Sequence, residues 1–483
     1  MFKMLRLTRG SMRTSGRSYL PLYFAIVMIL YTSSAGITTV YAMLSGFYRD
    51  FDEPLRIGWV VTSYYLVASI CAALCGRLGD VVGRRRMAIA VLFIAGLGSI
   101  VSARASGLNG VIGGCALQGT TGCLTALALG IVREALPREK MAFAVGIVSA
   151  AGVTGGGLSF MVAGYLIDHF SWRGGFYMKV GLVVLTVAAL LAYVPVPQRK
   201  LASLKNVNLL AGLAFAPGLA GVFVSFQLAN EWSWHDANVW AVLVGSLLVL
   251  VVWGWHQIRQ VDPLIDVRSL CRRPILLANV SISLLAMGCM QNGQVMSLLL
   301  QQPLWTHVGF GLSAGAAGAL LLPLMGITLI GSPWGGSLAG RLGARSVALI
   351  GCLLIVAGWS AIALYHQSLS LVVAADVVAL FGLSFVQPAV YLSVVEATPA
   401  ERTSEATGMT FVFVNAFLSI GGQAVFLLLA TSTVKSATAA GTYPSPAAYL
   451  LVFTYLIATA TTGFLVAWLL PKPAAAAAVI KVA

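Results

Sequence analysis

The chain has 483 residues, of which 59% are hydrophobic and only 9% are charged, whereas an ordinary soluble domain carries about 25% charged residues. This composition excludes a soluble multidomain protein, because water-facing surfaces need more polar residues than this sequence has. The 51 Gly and 17 Pro residues are spread through apolar stretches, which membrane helices tolerate better than soluble ones. The composition therefore predicts an all-α polytopic membrane protein.

Fourteen apolar segments follow one another along the chain, each near the length of about 20 residues that crosses a bilayer. They are 20–46, 57–75, 87–103, 108–132, 141–167, 174–196, 207–229, 239–255, 275–300, 312–334, 346–365, 369–395, 406–430 and 447–470. Most of the 30 Lys and Arg residues then fall on the side of the N-terminus, so the positive-inside rule predicts that both termini are cytoplasmic. We expect a multi-pass protein of the cell membrane, in a bacterium the inner membrane. Topology explains the net charge of +15, and no nucleic acid partner is expected.

Two loops of the chain share one pattern of residues. At a common offset, Gly76, Leu78, Gly83 and Arg85 after the second segment match Gly336, Leu338, Gly343 and Arg345 after the tenth. Two matched loops at one offset indicate an internal duplication. The offset corresponds to eight segments, so two extra helices lie between two six-helix halves. We predict an N-terminal half over 1–200, two inserted helices with a linker over 201–270, and a C-terminal half over 271–483.

The loop from Gly76 to Arg86 fits the pattern Gly-x-Leu-x-Asp-x-x-Gly-Arg-Arg without a gap. Further motifs are 171–173 before the sixth segment, 262–268 before the ninth, and Gln302 with 317–323 around the tenth. With these motifs the sequence resembles the major facilitator superfamily, and within it the fourteen-span drug:proton antiporter group. The resemblance implies the major facilitator fold, two six-helix halves plus two inserted helices, and a transporter rather than an enzyme.

The sequence departs from the pattern of that group in four places. The first segment contains no ionisable residue, although the group often carries an acid there. Cys115 stands where the pattern has an arginine, three residues before Gln118, and Lys179 stands where it usually has an asparagine. Gly155 and Gly156 stand where it has Gly-Pro. These departures leave open how protons are coupled.

A transporter of this kind needs a polar cavity between its halves rather than a covalent site. Polar side chains at helical spacing in the first, fourth and ninth segments are the candidates for this cavity. They are Tyr31, Ser34, Thr38, Tyr41, Gln118, Thr121, Gln291, Gln294 and Gln301. For the same residues the alternative is packing and hydrogen bonding between helices.

Asp376 is the only acidic residue well inside a predicted segment, and it is the candidate for proton coupling. A carboxylate at that depth needs a proton or a partner. By sequence count it lies near the outer end of its segment, so a solvated residue at the membrane boundary is the alternative. Lys179 also has two interpretations. Its side chain either extends to the membrane boundary or pairs with an anion or a carboxylate, and the sequence leaves open whether that carboxylate is the one of Asp376.

The resemblance implies that the first matched loop is a cytoplasmic gate. In such a gate Asp80 and the following arginines hold the helix ends together in the outward-open state, through charge pairs and a helix N-terminus. The residues of this gate loop are Gly76, Asp80, Gly83, Arg84 and Arg85. The alternative, topology anchoring by the arginines alone, does not require Asp80. In the second loop the acidic position is Gly340, so any such latch is asymmetric.

We therefore predict a secondary active transporter that exports amphipathic or hydrophobic small molecules by alternating access, in exchange for protons. The alternative is a facilitator, importer or lipid-type translocator with weak or no proton coupling and a neutral or anionic substrate; a sensor would bind without flux. No Gly-Lys dipeptide occurs, which excludes a Walker A loop, and the five His residues are scattered. We expect no cofactor, no metal and no catalytic residues, and a monomer in the lipid bilayer.

Overall fold

The structure is a computed structural model that describes residues 19–51, 53–136, 138–195, 215–232, 235–260, 272–397, 403–435 and 442–470. Its helices, numbered in chain order, are α1 (Leu20–Asp50), α2 (Pro54–Val82), α3 (Arg84–Arg104), α4 (Leu108–Gln118), α5 (Leu124–Ala135), α6 (Arg138–Phe170), α7 (Trp172–Tyr193), α8 (Phe215–Trp232), α9 (Ala237–Arg259), α10 (Arg273–Met287), α11 (Asn292–Gln301), α12 (Ala314–Leu342), α13 (Ala344–Tyr365), α14 (Leu369–Glu396), α15 (Thr403–Ala430) and α16 (Pro446–Trp468). Strands β1 (Thr433–Lys435) and β2 (Thr442–Pro444) form an antiparallel pair before α16, with Val434 opposite Tyr443.

Eleven helical segments of the described chain are long and apolar enough to cross a membrane, by length and composition. Two of them consist of two helices joined by a short 3₁₀ turn: α4 continues through Gly119–Cys123 into α5, and α10 continues through Cys289–Gln291 into α11. Together with α2, α6 and α8, these segments match the fourteen predicted ones in order. The all-α membrane fold is confirmed, and the count of fourteen crossings stays a prediction.

The ends of the helices follow from prolines and capping residues. Proline lies in the first turn of α1, α2, α10 and α16, where its missing N–H leaves no hydrogen bond unmade. Side-chain oxygens of Asp236, Ser313 and Ser445 accept backbone N–H bonds at the starts of α9, α12 and α16. These local signals mark the starts of α1, α2, α9, α10, α12 and α16.

The two matched loops have the same backbone geometry. Gly83, between α2 and α3, has φ 99°, and Gly343, between α12 and α13, has φ 84°. Residues with a side chain rarely adopt these angles, so both turns need glycine at the matched position. This agreement supports the internal duplication. The predicted domain boundaries near residues 200 and 270 lie outside the described residues.

Helices α8 and α9, the predicted insertion, pack against each other. Leu250 of α9 lies against Gly218 of α8, and Ser246 lies against Gly221. Much of the apolar surface of α9 is exposed, including Val251 at 66% and Trp255 at 55%, which suits a helix that faces lipid. This arrangement agrees with two helices added to a bundle of two halves.

The two predicted halves meet mainly along two helix pairs, α6 with α12 and α2 with α15, and α1 also contacts α11. We call the end of the bundle at which α1 ends the outer end, after the predicted orientation, and the opposite end the inner end. A large buried apolar cluster includes residues of both halves, such as Phe47, Phe160 and Phe426 toward the outer end, and in the C-terminal half it extends to the inner end. A separate cluster, with Ile26 and Leu190, belongs to the N-terminal half alone. The apolar core is therefore continuous between the halves at the outer end.

Replacing the glycine of either matched loop tests the duplication at the level of backbone geometry. We expect Gly83→Ala and Gly343→Ala each to lower the thermal denaturation midpoint of the purified protein, because a non-glycine residue held at such an angle costs about 1–3 kcal/mol. Gly107→Ala is the matched control, since Gly107 has φ −146° and an added Cβ there meets no atom within 4 Å. Midpoints equal to that of the control would show that these turns do not need glycine.

Candidate functional site

At the outer end, a carboxylate of one half caps a helix of the other. Asp168, near the end of α6, accepts hydrogen bonds from Ser313 Oγ at 2.7 Å, from the backbone N of Ala314 at 3.0 Å and from that of Gly315 at 2.9 Å. These groups form the N-terminus of α12, whose unpaired N–H groups and positive dipole end favour an anion. The backbones are in close contact, because an added Cβ at Gly164 would lie 2.3 Å from the carbonyl oxygen of Ala314.

The second contact between the halves joins α2 to α15. Thr62 Oγ1 donates to Gln423 Oε1 at 2.9 Å, and Ser419 Oγ donates to the carbonyl oxygen of Thr62, also at 2.9 Å. All three side chains are buried. Nearer the outer end, the ring of Tyr48 stacks on that of Phe426, with centroids 6.4 Å apart. Polar contacts therefore join α2 to α15, and an aromatic contact joins the end of α1 to α15.

The arginines of the predicted gate loop bind within their own half. Arg84 lies 3.3 Å from Glu134 and donates to the carbonyl oxygen of Gly130, while Arg85 donates to that of Leu191 at 3.0 Å. Gly83 is the turn glycine described above. Gly76 and Asp80 lie in α2, and their side-chain environment is outside the described part of the chain. The gate function of the loop stays a prediction.

The four predicted positions of α1 divide into two groups. Tyr31, Ser34 and Thr38 are half-buried and lie along a glycine-rich face of α6. An added Cβ at Gly155 would lie 3.0 Å from Tyr31 Cα, which shows how closely the two helices pack. Tyr41 is buried, and its hydroxyl is 3.0 Å from that of Tyr65. The first group combines helix packing with partial exposure, so both interpretations of this face apply.

Gln118, Thr121 and Lys179 come together in the N-terminal half. The ammonium of Lys179 donates to Gln118 Oε1 at 2.7 Å and to the carbonyl oxygen of Gly36 at 2.6 Å. Thr121 Oγ1 donates to the carbonyl oxygen of Gln118 and is 2.9 Å from the Tyr64 hydroxyl. Lys179 is only 5% exposed, so its ammonium does not extend to the membrane boundary.

The predicted glutamines lie around the break between α10 and α11. Gln291 Nε2 donates to the carbonyl oxygens of Ala286 and Leu418, both at 2.9 Å, and Gln294 Nε2 donates to that of Gly422 at 3.3 Å. Carbonyl partners fix the orientation of each amide, so the Oε1 atoms point the other way. Both Oε1 atoms are buried and have no hydrogen-bond partner among the described residues.

Gln301 differs from these two glutamines because its partner is a serine of its own helix. Its Nε2 donates to Ser297 Oγ at 2.9 Å, and Ser297 Oγ donates to the carbonyl oxygen of Tyr41 in α1 at 2.6 Å. Gln301 is buried and holds the serine that joins α11 to α1. This position supports the interpretation that Gln301 contributes mainly to packing between helices.

Asp376 lies fully buried in α14 of the C-terminal half, rather than at a solvated boundary. Asn292 Nδ2 donates to Asp376 Oδ1 at 2.9 Å. The other oxygen of each group, Asp376 Oδ2 and Asn292 Oδ1, has no hydrogen-bond partner among the described residues. Asp376 and Lys179 therefore have separate partners, and no ion pair joins them in the described structure.

Two residues of this arrangement were not predicted from the sequence. Asp168 ends an apolar helix, where an acid is ordinary, and its partners are distant in the chain. Asn292 lies among the predicted glutamines but does not share their helical spacing, because the 3₁₀ turn interrupts the helix there. An asparagine beside a helix break was the available signal for Asn292.

The fold is that of known transporters. A partially occluded inward-open xylose transporter XylE from E. coli is 13% identical, with a TM-score of 0.62 over 94% of this chain and 100% of that one. An inward-facing, unoccupied bacterial homolog of the human lysosomal transporter Spinster is 14% identical, with a TM-score of 0.62 over 92% and 96%. At these identities the likeness concerns the fold alone.

The family model described as Major Facilitator Superfamily matches residues 23–423, and the chain therefore belongs to this family of membrane transporters. A multidrug resistance protein B homolog from Mycobacterium tuberculosis is 27% identical over 429 residues, which cover 86% of this chain and 75% of that protein. A tetracenomycin C resistance and export protein from Streptomyces glaucescens is 26% identical over 313 residues, 62% of this chain. The match spans only 55% of that relative's own length.

Removing the charge of Asp168 tests the closure of the outer end. We expect Asp168→Asn to raise the labelling rate of Ser34→Cys by an externally added, membrane-impermeant maleimide about tenfold, since a hydrogen bond to a charged group contributes about 1.5–3 kcal/mol. The parent without Ser34→Cys gives the background from the native cysteines. Asp236→Asn, which removes a helix-capping carboxylate on α9, is the matched control. An unchanged labelling rate in Asp168→Asn would show that these bonds do not keep the outer end closed.

Proposed function

We propose that the protein exports amphipathic or hydrophobic small molecules by alternating access, in exchange for protons. Family membership makes the chain a transporter of small molecules in a membrane. The resistance and export functions in the names of its relatives support the direction of transport and the substrate class. The observation that carries the proton part of the proposal is the buried pair of Asp376 and Asn292.

Alternating access requires contacts between the halves that can form at one end and break again. The bonds of Asp168 to α12 and of Thr62 to Gln423 are contacts of this kind. These contacts are hydrogen bonds between side chains or helix ends. They can break without a change in the backbone of either half, so the halves can separate as rigid bodies. This geometry supports a state in which the outer end is closed.

The Asp376 pair supports proton exchange because its hydrogen bonding depends on the proton. With Asp376 ionised, its Oδ2 and the Oδ1 of Asn292 are both acceptors, and neither has a donor among the described residues. A proton on Oδ2 turns that oxygen from an acceptor into a hydrogen-bond donor. Buried acceptors without donors are unfavourable, so a proton on Asp376 removes one of two unpaired acceptors, whereas water that reaches the pair can donate to the carboxylate instead.

The second candidate is a facilitator, importer or lipid-type translocator with weak or no proton coupling. It is favoured by the absence of ionisable residues from the first predicted segment and by the buried ammonium of Lys179, which suits a neutral or anionic substrate. The two candidates differ in whether flux needs a proton gradient, so the experiment compares flux with and without one.

The test is efflux of a lipophilic fluorescent dye from cells that express the protein, with and without a protonophore. We expect efflux that the protonophore abolishes, and at least a tenfold loss of efflux in Asp376→Asn, which keeps the size of the side chain but not its proton exchange. Asp376→Glu, which keeps an acid, should retain part of the activity. Glu53→Gln, which alters an exposed carboxylate at the outer end, is the control and should behave like the wild type.

Folding of each variant is checked by its amount in the membrane and by its elution as a single species. Efflux that continues with the protonophore present would contradict proton exchange and favour the facilitator. If Asp376→Asn shows normal efflux that the protonophore abolishes, proton antiport stands, but Asp376 has no part in it.

A further inference from the structure

The buried ammonium of Lys179 has more hydrogen-bond donors than the protein has acceptors for it. Its nitrogen lies 2.7 Å from Gln118 Oε1 and 2.6 Å from the carbonyl oxygen of Gly36. Among the described residues no third acceptor bonds to it, and no carboxylate lies within 4.0 Å. An ammonium has three N–H donors, whereas a neutral amine has two. The two acceptors therefore satisfy the amine in full and the ammonium only in part.

The neighbouring groups keep Gln118 turned toward Lys179 in either form. Ser102 Oγ donates to the carbonyl oxygen of Val111 at 3.3 Å, so it accepts from Gln118 Nε2 at 3.2 Å. Because the Nε2 of this amide is bound to Ser102, its Oε1 faces the Lys179 nitrogen as an acceptor. Both hydrogen bonds of Lys179 therefore persist when its nitrogen loses a proton.

A small polar cavity lies beside Lys179. It has room for about one water molecule, and Thr32, Ser99 and Thr121 line it. Each of these hydroxyls donates its hydrogen to a carbonyl oxygen of the protein, at 2.8 to 3.0 Å. They therefore have only oxygen lone pairs left to offer to the cavity. Such a cavity suits a water molecule that accepts from Lys179 and donates to the hydroxyls, and the same acceptors stabilise a hydronium ion.

The other groups around Lys179 are neutral. The thiol of Cys115 faces it from α4, and the hydroxyl of Tyr64 faces the cluster from α2; a thiol and a phenol are ordinarily neutral at pH 7. Around the cavity, α1, α3 and α7 add only uncharged side chains besides Lys179 itself. An unpaired ion out of water is unfavourable by several kcal/mol. Loss of one proton removes this buried charge and leaves no hydrogen bond unmade.

We propose that Lys179 is a second proton-carrying residue of the transport cycle, in addition to Asp376. One N–H bond of the ammonium breaks, its electron pair stays on the nitrogen, and the proton forms an O–H bond of a hydronium ion in the cavity. The hydronium passes the proton to water at the inner end, and the amine takes up a new one from water at the outer end. The inference rests on the proposed function and deepens it, because two protons are then exchanged for each substrate molecule.

The first test observes the proton directly and needs no transport. The full chain, labelled with ¹⁵N at its lysine side chains, is studied in lipid nanodiscs by solid-state NMR, which separates ammonium from amine nitrogens. Loss of the same signal in Lys179→Met and in Lys179→Arg assigns the residue. We expect this signal to change from ammonium to amine between about pH 6 and pH 9, a range over which a lysine in water keeps its proton. An ammonium signal throughout would overturn the inference, whatever the outcome of dye efflux.

The second test counts protons per substrate molecule in proteoliposomes. The probe is ethidium, and potassium with valinomycin holds the membrane potential at zero. At zero net flux, each exchanged proton contributes one factor of the proton gradient to the dye gradient. For a proton gradient of about tenfold we expect a balancing dye gradient of about a hundredfold in the wild type and about tenfold in Lys179→Arg, which keeps the charge but cannot release a proton. A purely structural role of Lys179 would change the rate of flux and leave this balance unchanged.

The matched control is Lys435→Arg, the same change at an exposed lysine, which should balance like the wild type. Equal balance in the wild type and in Lys179→Arg would overturn the second proton and leave the proposed antiport standing. A dye gradient that does not respond to the proton gradient would contradict the antiport itself, which separates the failure of the proposed function from that of the role of Lys179.

Discussion

In the hydrocarbon of a bilayer, every buried polar group depends on a partner within the protein. Helices satisfy the backbone, which is why nearly all of the described chain is helical. Where helices end, the unpaired groups have to be satisfied from elsewhere, and one contact between the halves lies at such a place. Asp168 satisfies the first N–H groups of α12. Ser297 adds a hydrogen bond to the carbonyl oxygen of Tyr41, which lies inside α1. The same requirement that builds the helices thus also joins the halves.

The helices and the duplication could be predicted from the sequence because their signals are local. Hydropathy marks each segment, and the matched glycines Gly83 and Gly343 both have positive φ. Depth within the bundle is not local. Counting along their segments left Lys179 and Asp376 open to a position at the membrane boundary, whereas neighbouring helices bury both. Asp168 was missed for the same reason, since its partners begin 145 residues further along the chain.

The two buried ionisable residues differ in sign and lie in different halves, yet their surroundings follow one rule. The ammonium of Lys179 is held by neutral acceptors, and the carboxyl of Asp376 by a neutral donor. A group held by neutral dipoles gains more from a new ligand or proton than a group already in an ion pair. This arrangement leaves the acid of Asp376 available to the proton that the proposed function requires.

Reversible opening also depends on the packing of α6. Gly155 and Gly156 lie against α1, and Gly157 against Leu322 of α12, so α6 contacts both halves through a surface with few side chains. A smooth surface resists sliding less than interdigitated side chains do. Directional bonds are then left to hold the position of α6, and the strongest are those of Asp168, which are charge-assisted. The alternating access proposed above requires contacts that can break, and the Asp168 bonds, together with the α2–α15 contact, are the ones that would have to open at the outer end.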